Sequence, residues 1–269
     1  MKLLSLKMPY QRELIVGVDS PKLFSKLKIK YGIYIVDCEQ SEVPDIRITK
    51  IDSSTYAIDM GGTVSTTSSP VLCIDKFLFE HPAYDTSVFA MHGAAVEWRG
   101  KCYVFLAATT SGKTTLTSYL VHCGCGYVTD DCVLLDRKTY MVHPFSTPLH
   151  LREGGLKVLE RYGVLLGDLY CFSEDNNRTC RYIYTPKNCL EQALPLGEIF
   201  FIERTETENA ICQLSIQEKI AALMKSPITV YPIEIEYLRF LASLGAKYCK
   251  CLRYCDMDFV KEIVQQYEN

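Results

Sequence analysis

From residue 88 onward, short apolar runs alternate with polar punctuation. Val88–His92 and Ala94–Trp98 flank Gly93, and the Arg99-Gly100 pair turns the chain into a third run that ends near Leu106. Runs of four to six apolar residues bounded by turn residues predict buried strands. After a polar loop over 107–112, the pattern changes to helical spacing over about 114–122. A GCG turn then leads to a strand at Tyr127–Thr129. A hairpin follows, Cys132–Asp136 to Met141–His143 across Asp136-Arg137-Lys138-Thr139. The pattern further predicts a short helix over Glu153–Tyr162, an exposed loop over Asp168–Arg181 and a strand over Glu198–Glu203. Helices are expected near 215–225, 232–244 and 257–268, and the CysLysCysLeuArgTyr stretch at 249–254 is expected to be a strand. In the terminal helix, Phe259, Ile263 and Val264 fall at helical spacing and face the body.

The first 85 residues read differently. Glu13–Val18, Gly32–Cys38, Ile46–Ile51, Thr55–Met60 and Val71–Ile74 are β-rich runs, broken by Pro21, Pro44, Gly61-Gly62 and the polar stretch 65–70. They predict a small, mainly antiparallel lobe over 1–85, followed by a larger α/β unit over 86–269 (α+β for the whole chain).

Composition narrows the function classes. A net charge of −3 gives no broad surface for nucleic acid, and no apolar run approaches the length of a membrane span. The N-terminus lacks the pattern of a signal peptide, so a cytoplasmic protein is expected. The cysteine count of 13 is odd, which argues against a disulfide framework. Cys123-x-Cys125 and Cys249-x-Cys251-x-x-x-Cys255 lack the paired spacing of a structural zinc site and are read as small buried hydrophobes.

Chemistry concentrates in two places. The stretch Ala107-Ala108-Thr109-Thr110-Ser111-Gly112-Lys113-Thr114 lies between a strand and a helix and ends as a phosphate loop does. Backbone N–H groups over Thr109–Gly112 and at Thr115 would cradle phosphate, Lys113 would reach the outer phosphates, and Thr114 would help hold Mg²⁺. Ala107 stands where the pattern has glycine. The bland alternative is an ordinary strand–turn–helix corner with an exposed lysine. The second place is Asp130-Asp131, sixteen residues beyond Thr114 at the end of the next strand. So short a unit is expected to set the two strands side by side with their carboxyl ends together. One carboxylate would then hold Mg²⁺ and the other accept a hydroxyl proton; a solvated turn is the plain alternative. His92, ahead of the hairpin that feeds the loop, is placed to orient a carboxylate.

Residues 92–135 resemble the catalytic core of the HPr kinase/phosphorylase family and its phosphoenolpyruvate-carboxykinase-like relatives. The shared features are a His-Gly before a hairpin, a loop ending in Gly-Lys-Ser/Thr, a short helix and a Gly-x-x-x-Val/Ile-x-Asp-Asp strand, here Gly124 to Asp131. The resemblance implies a P-loop kinase core using ATP, or GTP, with Mg²⁺. It makes Asp130 the general base supported by His92, and gives Asp131 and Thr114 to the metal. Glu153 or Arg152, in His150–Gly155, would stand in for the family's substrate-loop residues, with Glu153 as a metal ligand. Arg178, Arg181 and Lys187 read as solvated basic residues. The layout is closer to the shorter members found with lasso-peptide and other peptide natural-product pathways. A Ser/Thr hydroxyl of a small protein or peptide is therefore the expected acceptor, and a homo-oligomer is favoured. A small-molecule phosphotransferase and a nucleotide-binding scaffold without turnover are the alternatives.

Overall fold

The computed structural model describes residues 1–7, 13–37, 43–80, 87–108, 110–167, 169–174, 179–228 and 231–266. The chain separates into two compact units, Met1–Tyr84 and Asp85–Asn269, and is mixed α/β.

In the first unit, strands β1 (Lys2–Leu6), β2 (Leu14–Val18), β3 (Ile35–Val36), β4 (Ile46–Lys50), β5 (Tyr56–Met60) and β6 (Thr63–Thr67) form one sheet. Its order is β3-β1-β2-β4-β5-β6. Every pairing is antiparallel except that of β2 with β4. Two helices depart from the expected run of strands and breaks. Helix α1 (Pro21–Tyr31) starts at the proline expected to break the chain. Pro21 occupies the first helical turn, and the Ser20 hydroxyl caps it by accepting from the Leu23 N–H, a setting in which proline sacrifices no hydrogen bond. Helix α2 (Pro70–Glu80) covers the run expected to be a strand at Val71–Ile74. The buried Asp75 carboxylate of α2 takes both the Lys30 ammonium and the Tyr31 hydroxyl of α1, so helical spacing is what brings the acid to its partners. Gly32–Tyr34 is a 3-10 turn rather than strand, and Cys38 lies outside the described residues.

The second unit begins with β7 (Val88–Met91), β8 (Ala94–Trp98), β9 (Lys101–Leu106), α3 (Lys113–His122), β10 (Gly126–Thr129), β11 (Val133–Asp136) and β12 (Met141–His143). It continues with β13 (Leu149–Arg152), α4 (Glu153–Arg161), β14 (Tyr170–Glu174), β15 (Thr179–Tyr184), β16 (Leu194–Arg204) and β17 (Ala210–Cys212). Last come α5 (Ile216–Met224), α6 (Ile235–Tyr248), β18 (Cys249–Tyr254) and α7 (Met257–Gln266). The main sheet runs β10-β8-β9-β16-β12-β11-β7, with β18 parallel on β16 and β17 beyond it. The expected loop over Asp168–Arg181 is instead largely a β-hairpin, β14 with β15, which β13 extends to three strands. The two strands pair in register from Tyr170 opposite Ile183 to Glu174 opposite Thr179; Asp168 and 175–178 lie outside the described residues.

The sheet is buried on both faces, which explains its continuous apolar runs. Tyr103 and Phe105 of β9 pack with Leu116 and Leu120 of α3 and with Val260 and Val264 of α7. Cys102, Val104 and Leu106 point the other way, onto Phe240, Leu241 and Leu244 of α6. The cysteines Cys102, Cys125, Cys132 and Cys249 are buried in these layers, and burial pushes each of their thiols up. Among the described residues no helix is long and apolar enough to cross a membrane.

One expectation about strand order is corrected. Strands β9 and β10 do not lie side by side, because β8 stands between them, antiparallel to both. The tight turn at Arg99-Gly100, with φ of 51° and 78°, folds β8 directly back beside β9, a pair of left-handed residues that fits the twist of a hairpin. Helix α3 then crosses over β8. The carboxyl ends of β9 and β10 still point the same way.

Candidate active site

The loop after β9 leads straight into α3. Its left-handed positions are Thr110 (φ 67°) and Gly112 (φ 93°). Ala107 does not take a positive φ, and its side chain packs against the core, so a methyl group is accommodated where the phosphate-loop pattern has glycine. Gly112 is the N-cap of α3, and no side chain caps that helix end. The positive end of the helix dipole and the first-turn N–H groups therefore face the loop uncompensated by a side chain. The Ser111 hydroxyl oxygen is buried with no hydrogen-bond partner. Thr109 lies outside the described residues.

Lys113 is buried, and its ammonium bridges the loop mouth, donating to the carbonyls of Ala107 (2.9 Å) and Ala108 (3.2 Å). Burial lowers its pKa, while the nearby Asp130 and Asp131 work in the opposite direction. The lysine is therefore buried rather than exposed at this corner.

Asp130 follows β10 and is 3% exposed. Burial, and then the charge of Asp131, raises its pKa to about 8; a hydrogen bond from the Thr114 side chain and the Lys113 ammonium oppose that rise. Its Oδ1 atom has no hydrogen-bond partner. A carboxylate buried with an unused oxygen is costly unless something else supplies a proton or a cation. Thr114, Asp130 and Asp131 offer the hard oxygen donors that Mg²⁺ takes.

His92 reaches the same place from the other side. Strand β7 is antiparallel to β11, with Met91 opposite Val133, so the residue after Met91 comes level with Cys132, next to the acidic pair. The ring Nδ1 of His92 lies 3.2 Å from the Asp131 main-chain oxygen. The contact is to the backbone, not to a carboxylate, so the imidazole fixes the acidic turn rather than polarising an acid. The main-chain N–H of His92 is held by the Ser226 carbonyl at 2.7 Å. Gly93 permits the approach: a Cβ there would lie 2.6 Å from Leu106 Cδ2 and 3.0 Å from the Phe105 carbonyl oxygen. Gly93→Ala should therefore cost about 1–3 kcal/mol in urea unfolding, whereas Gly154→Ala, with nothing within 4 Å, should be nearly neutral. Equal stabilities of the two variants would contradict the packing argument.

Glu153 is placed elsewhere. It is exposed at the start of α4 and pairs with Lys157 one turn on, at 2.6 Å, which lowers its pKa. Among the described residues no three His, Cys, Asp or Glu side chains are gathered as metal ligands, so Glu153 does not complete a three-acid site with the aspartates. Helix α4 does touch the first turn of α3 through Gly155, where a Cβ would lie 2.8 Å from Thr115 Oγ1. Arg152 and Lys187 are exposed; Arg178 lies outside the described residues, and for Arg181 only the strand position is described.

No family model matches the chain, and no curated protein matches it in sequence. Among solved structures, the Hpr(Ser) kinase/phosphatase from Coxiella burnetii can be overlaid on 58% of this chain and 88% of its own, at 10% identity and a TM-score of 0.28. An overlay that loose assigns neither fold nor activity.

Two participants escape the reading of motifs. Ser111 enters there only as part of the loop backbone, and its unpartnered hydroxyl depends on burial that no local pattern reveals. Tyr254 enters there only as the last residue of the strand expected over 249–254. Its hydroxyl oxygen would lie 3.7 Å from a Cβ on Gly112. The signal available in sequence is its position at the end of a run that becomes a parallel strand.

Proposed function

We propose that this chain is an ATP- and Mg²⁺-dependent kinase that phosphorylates a Ser or Thr hydroxyl on a peptide or small protein. The observation that carries this reading is the buried Asp130 carboxyl, its Oδ1 unpartnered, hydrogen-bonded by Thr114 and close to Lys113 at the uncapped start of α3. A structural acid would have its oxygens satisfied. A general base needs one free for the incoming proton.

In this reading the N–H groups at the start of α3, with Gly112 and the Ser111 hydroxyl, hold the nucleotide's phosphate oxygens. Lys113 exchanges its bonds to the Ala107 and Ala108 carbonyls for the outer phosphates and draws off charge as it develops. Asp130 in its ionised form accepts the acceptor hydroxyl's proton while the oxygen attacks the γ-phosphorus, the bond from that phosphorus to the β–γ bridging oxygen breaks, and ADP leaves. Asp131 and the Thr114 hydroxyl would hold Mg²⁺, which would supply charge neutralisation on the transferring phosphoryl group. His92 keeps the Asp130-Asp131 turn in register through the Asp131 carbonyl.

The order of His92-Gly93, the loop and the acidic strand supports a protein or peptide acceptor through the motif resemblance. The test is direct. γ-labelled ATP with Mg²⁺ and Ser-containing candidate peptides should give labelled peptide in a Mg²⁺-dependent manner. ATP binding without transfer to any peptide or small hydroxyl compound would favour a scaffold, and transfer only to small molecules would sink the peptide assignment.

A further inference from the structure

A second surface adjoins the phosphate loop. Strands β16 and β18 run parallel to each other, and β16 runs parallel to β9. Their carboxyl ends therefore open on the same edge as the loop, where ligands of open α/β sheets bind. At that edge lies a hollow lined by Gly112, Thr115, Tyr162, Arg204, Tyr254 and Met257, among others. It starts at the first turn of α3, passes the ends of β16 and β18, and finishes at the first turn of α7.

The lining has a definite chemistry. Tyr254 is 3% exposed and lines the hollow opposite Gly112, its hydroxyl oxygen 3.7 Å from where a Cβ on Gly112 would lie. Arg204 is exposed, with no carboxylate partner among the described residues, and lies near enough to Tyr254 to pull against the burial that raises that phenol's pKa. Tyr162 is rigidly mounted. Its hydroxyl donates to Asp256 Oδ1 (2.9 Å) and accepts from the Met257 N–H (3.1 Å), and its ring packs edge-on against Tyr119 at 5.1 Å. An aromatic wall, an apolar floor from Val158 and Met257, a phenol hydroxyl and an exposed guanidinium suit a flat heteroaromatic ring joined to an anion.

We infer that this hollow is the nucleoside subsite: the base and ribose lie along Tyr162, Tyr254 and Met257, and Arg204 meets the phosphate nearest the ribose. The inference rests on the nucleotide reading of the loop and adds the direction in which the nucleotide lies, away from the phosphate grip and across the ends of β16 and β18. Val158→Trp would fill the hollow, and Arg204→Gln would remove its cation from an exposed position without disturbing the core.

Calorimetric titration of the full chain with Mg²⁺-ATP and with Mg²⁺-pyrophosphate separates the parts. Pyrophosphate occupies the loop alone. Both variants, folded by circular dichroism with unchanged melting temperature, should bind ATP about 10-fold more weakly and pyrophosphate as the parent does. If ATP affinity is unchanged in both variants, or if ATP and pyrophosphate affinity fall together, the nucleoside lies elsewhere and the inference is overturned. A parent chain that binds neither ligand would instead overturn the nucleotide reading itself, and this subsite with it.

Discussion

Asp130→Asn should keep Mg²⁺-ATP affinity within about threefold and lower phosphoryl transfer by about 10²–10⁴-fold, the usual contribution of a positioned general base. The amide occupies the same volume and still accepts from Thr114, but it cannot take a proton. In the parent, the pKa of about 8 means that Asp130 is protonated in the ligand-free protein at neutral pH. Its kcat/KM should therefore rise with pH to a plateau above about 8, since the proton must leave before the base can act. Because Asp131 shares the field, the limb reports the pair rather than one residue. Unchanged transfer in the variant, or a flat pH profile in the parent, would remove Asp130 from the role.

The same substitution has a stability signature of opposite sign. A carboxyl whose folded-state pKa lies above its unfolded value of 3.8 binds more protons in the folded chain between about pH 4 and 8. Folding stability contributed by this group is then lost as pH rises through that window, and the full cost is present above it. The uncharged amide carries no such cost. The Asp130→Asn protein should thus be the more stable of the two above pH 8, by about 1.4 kcal/mol for each unit by which the folded-state pKa is raised, with the gap closing towards pH 4 in urea titrations. A gain in stability alongside a loss of turnover is what separates a strained catalytic acid from a structural one.

How much of this the sequence discloses depends on the distance over which each feature is decided. Strands β7, β8 and β9 and helix α3 follow from local alternation, and their ends fall within a residue or two of expectation. The turn at Arg99-Gly100 is local chemistry as well. Helix α2 is different. Val71–Ile74 is β-rich on its own, and it becomes helical because Asp75 and Leu78 must both reach the interior from a single stretch, a demand set by Lys30 and Tyr31, 45 and 44 positions before Asp75. The β14–β15 hairpin is hidden because its polar middle dominates the window. The place of β8 between β9 and β10 is a topological fact that spacing alone cannot supply; a crossover helix of this length spans one intervening strand as readily as none.

The site divides along the same line. Lys113, Thr114 and Asp130 sit close to one another because the turn and strand that carry them are short-range features. Glu153 enters only through a signature that this chain lacks, and in the fold it meets Lys157 instead. His92 arrives at the acidic pair by the β7–β11 register, but meets its main chain rather than a carboxylate, a distinction of a few ångströms that only side-chain geometry decides. Arg204 and Tyr254 are fifty residues apart in sequence, and it is the parallel pairing of β16 with β18, Arg204 opposite Tyr254, that joins them.

Lys113→Ala should have the other large effect, and it tests the loop without reference to the acceptor. The lysine is buried with its ammonium on two loop carbonyls, and burial disfavours its charged form. Nothing about the fold requires a cation there, since an alanine would leave those carbonyls to water at the loop mouth. A cation is held at such a cost where an anion is to be met. Removing it should weaken Mg²⁺-ATP and Mg²⁺-pyrophosphate binding together and slow any transfer by about 10²–10³-fold, with folding retained. The joint loss is the informative part. It would place the lysine on the phosphates rather than on the nucleoside, in contrast to Arg204→Gln, which should spare pyrophosphate. Undiminished affinity for both ligands would mean that the ammonium serves only to close its own loop, and the corner between β9 and α3 would then be a structural turn.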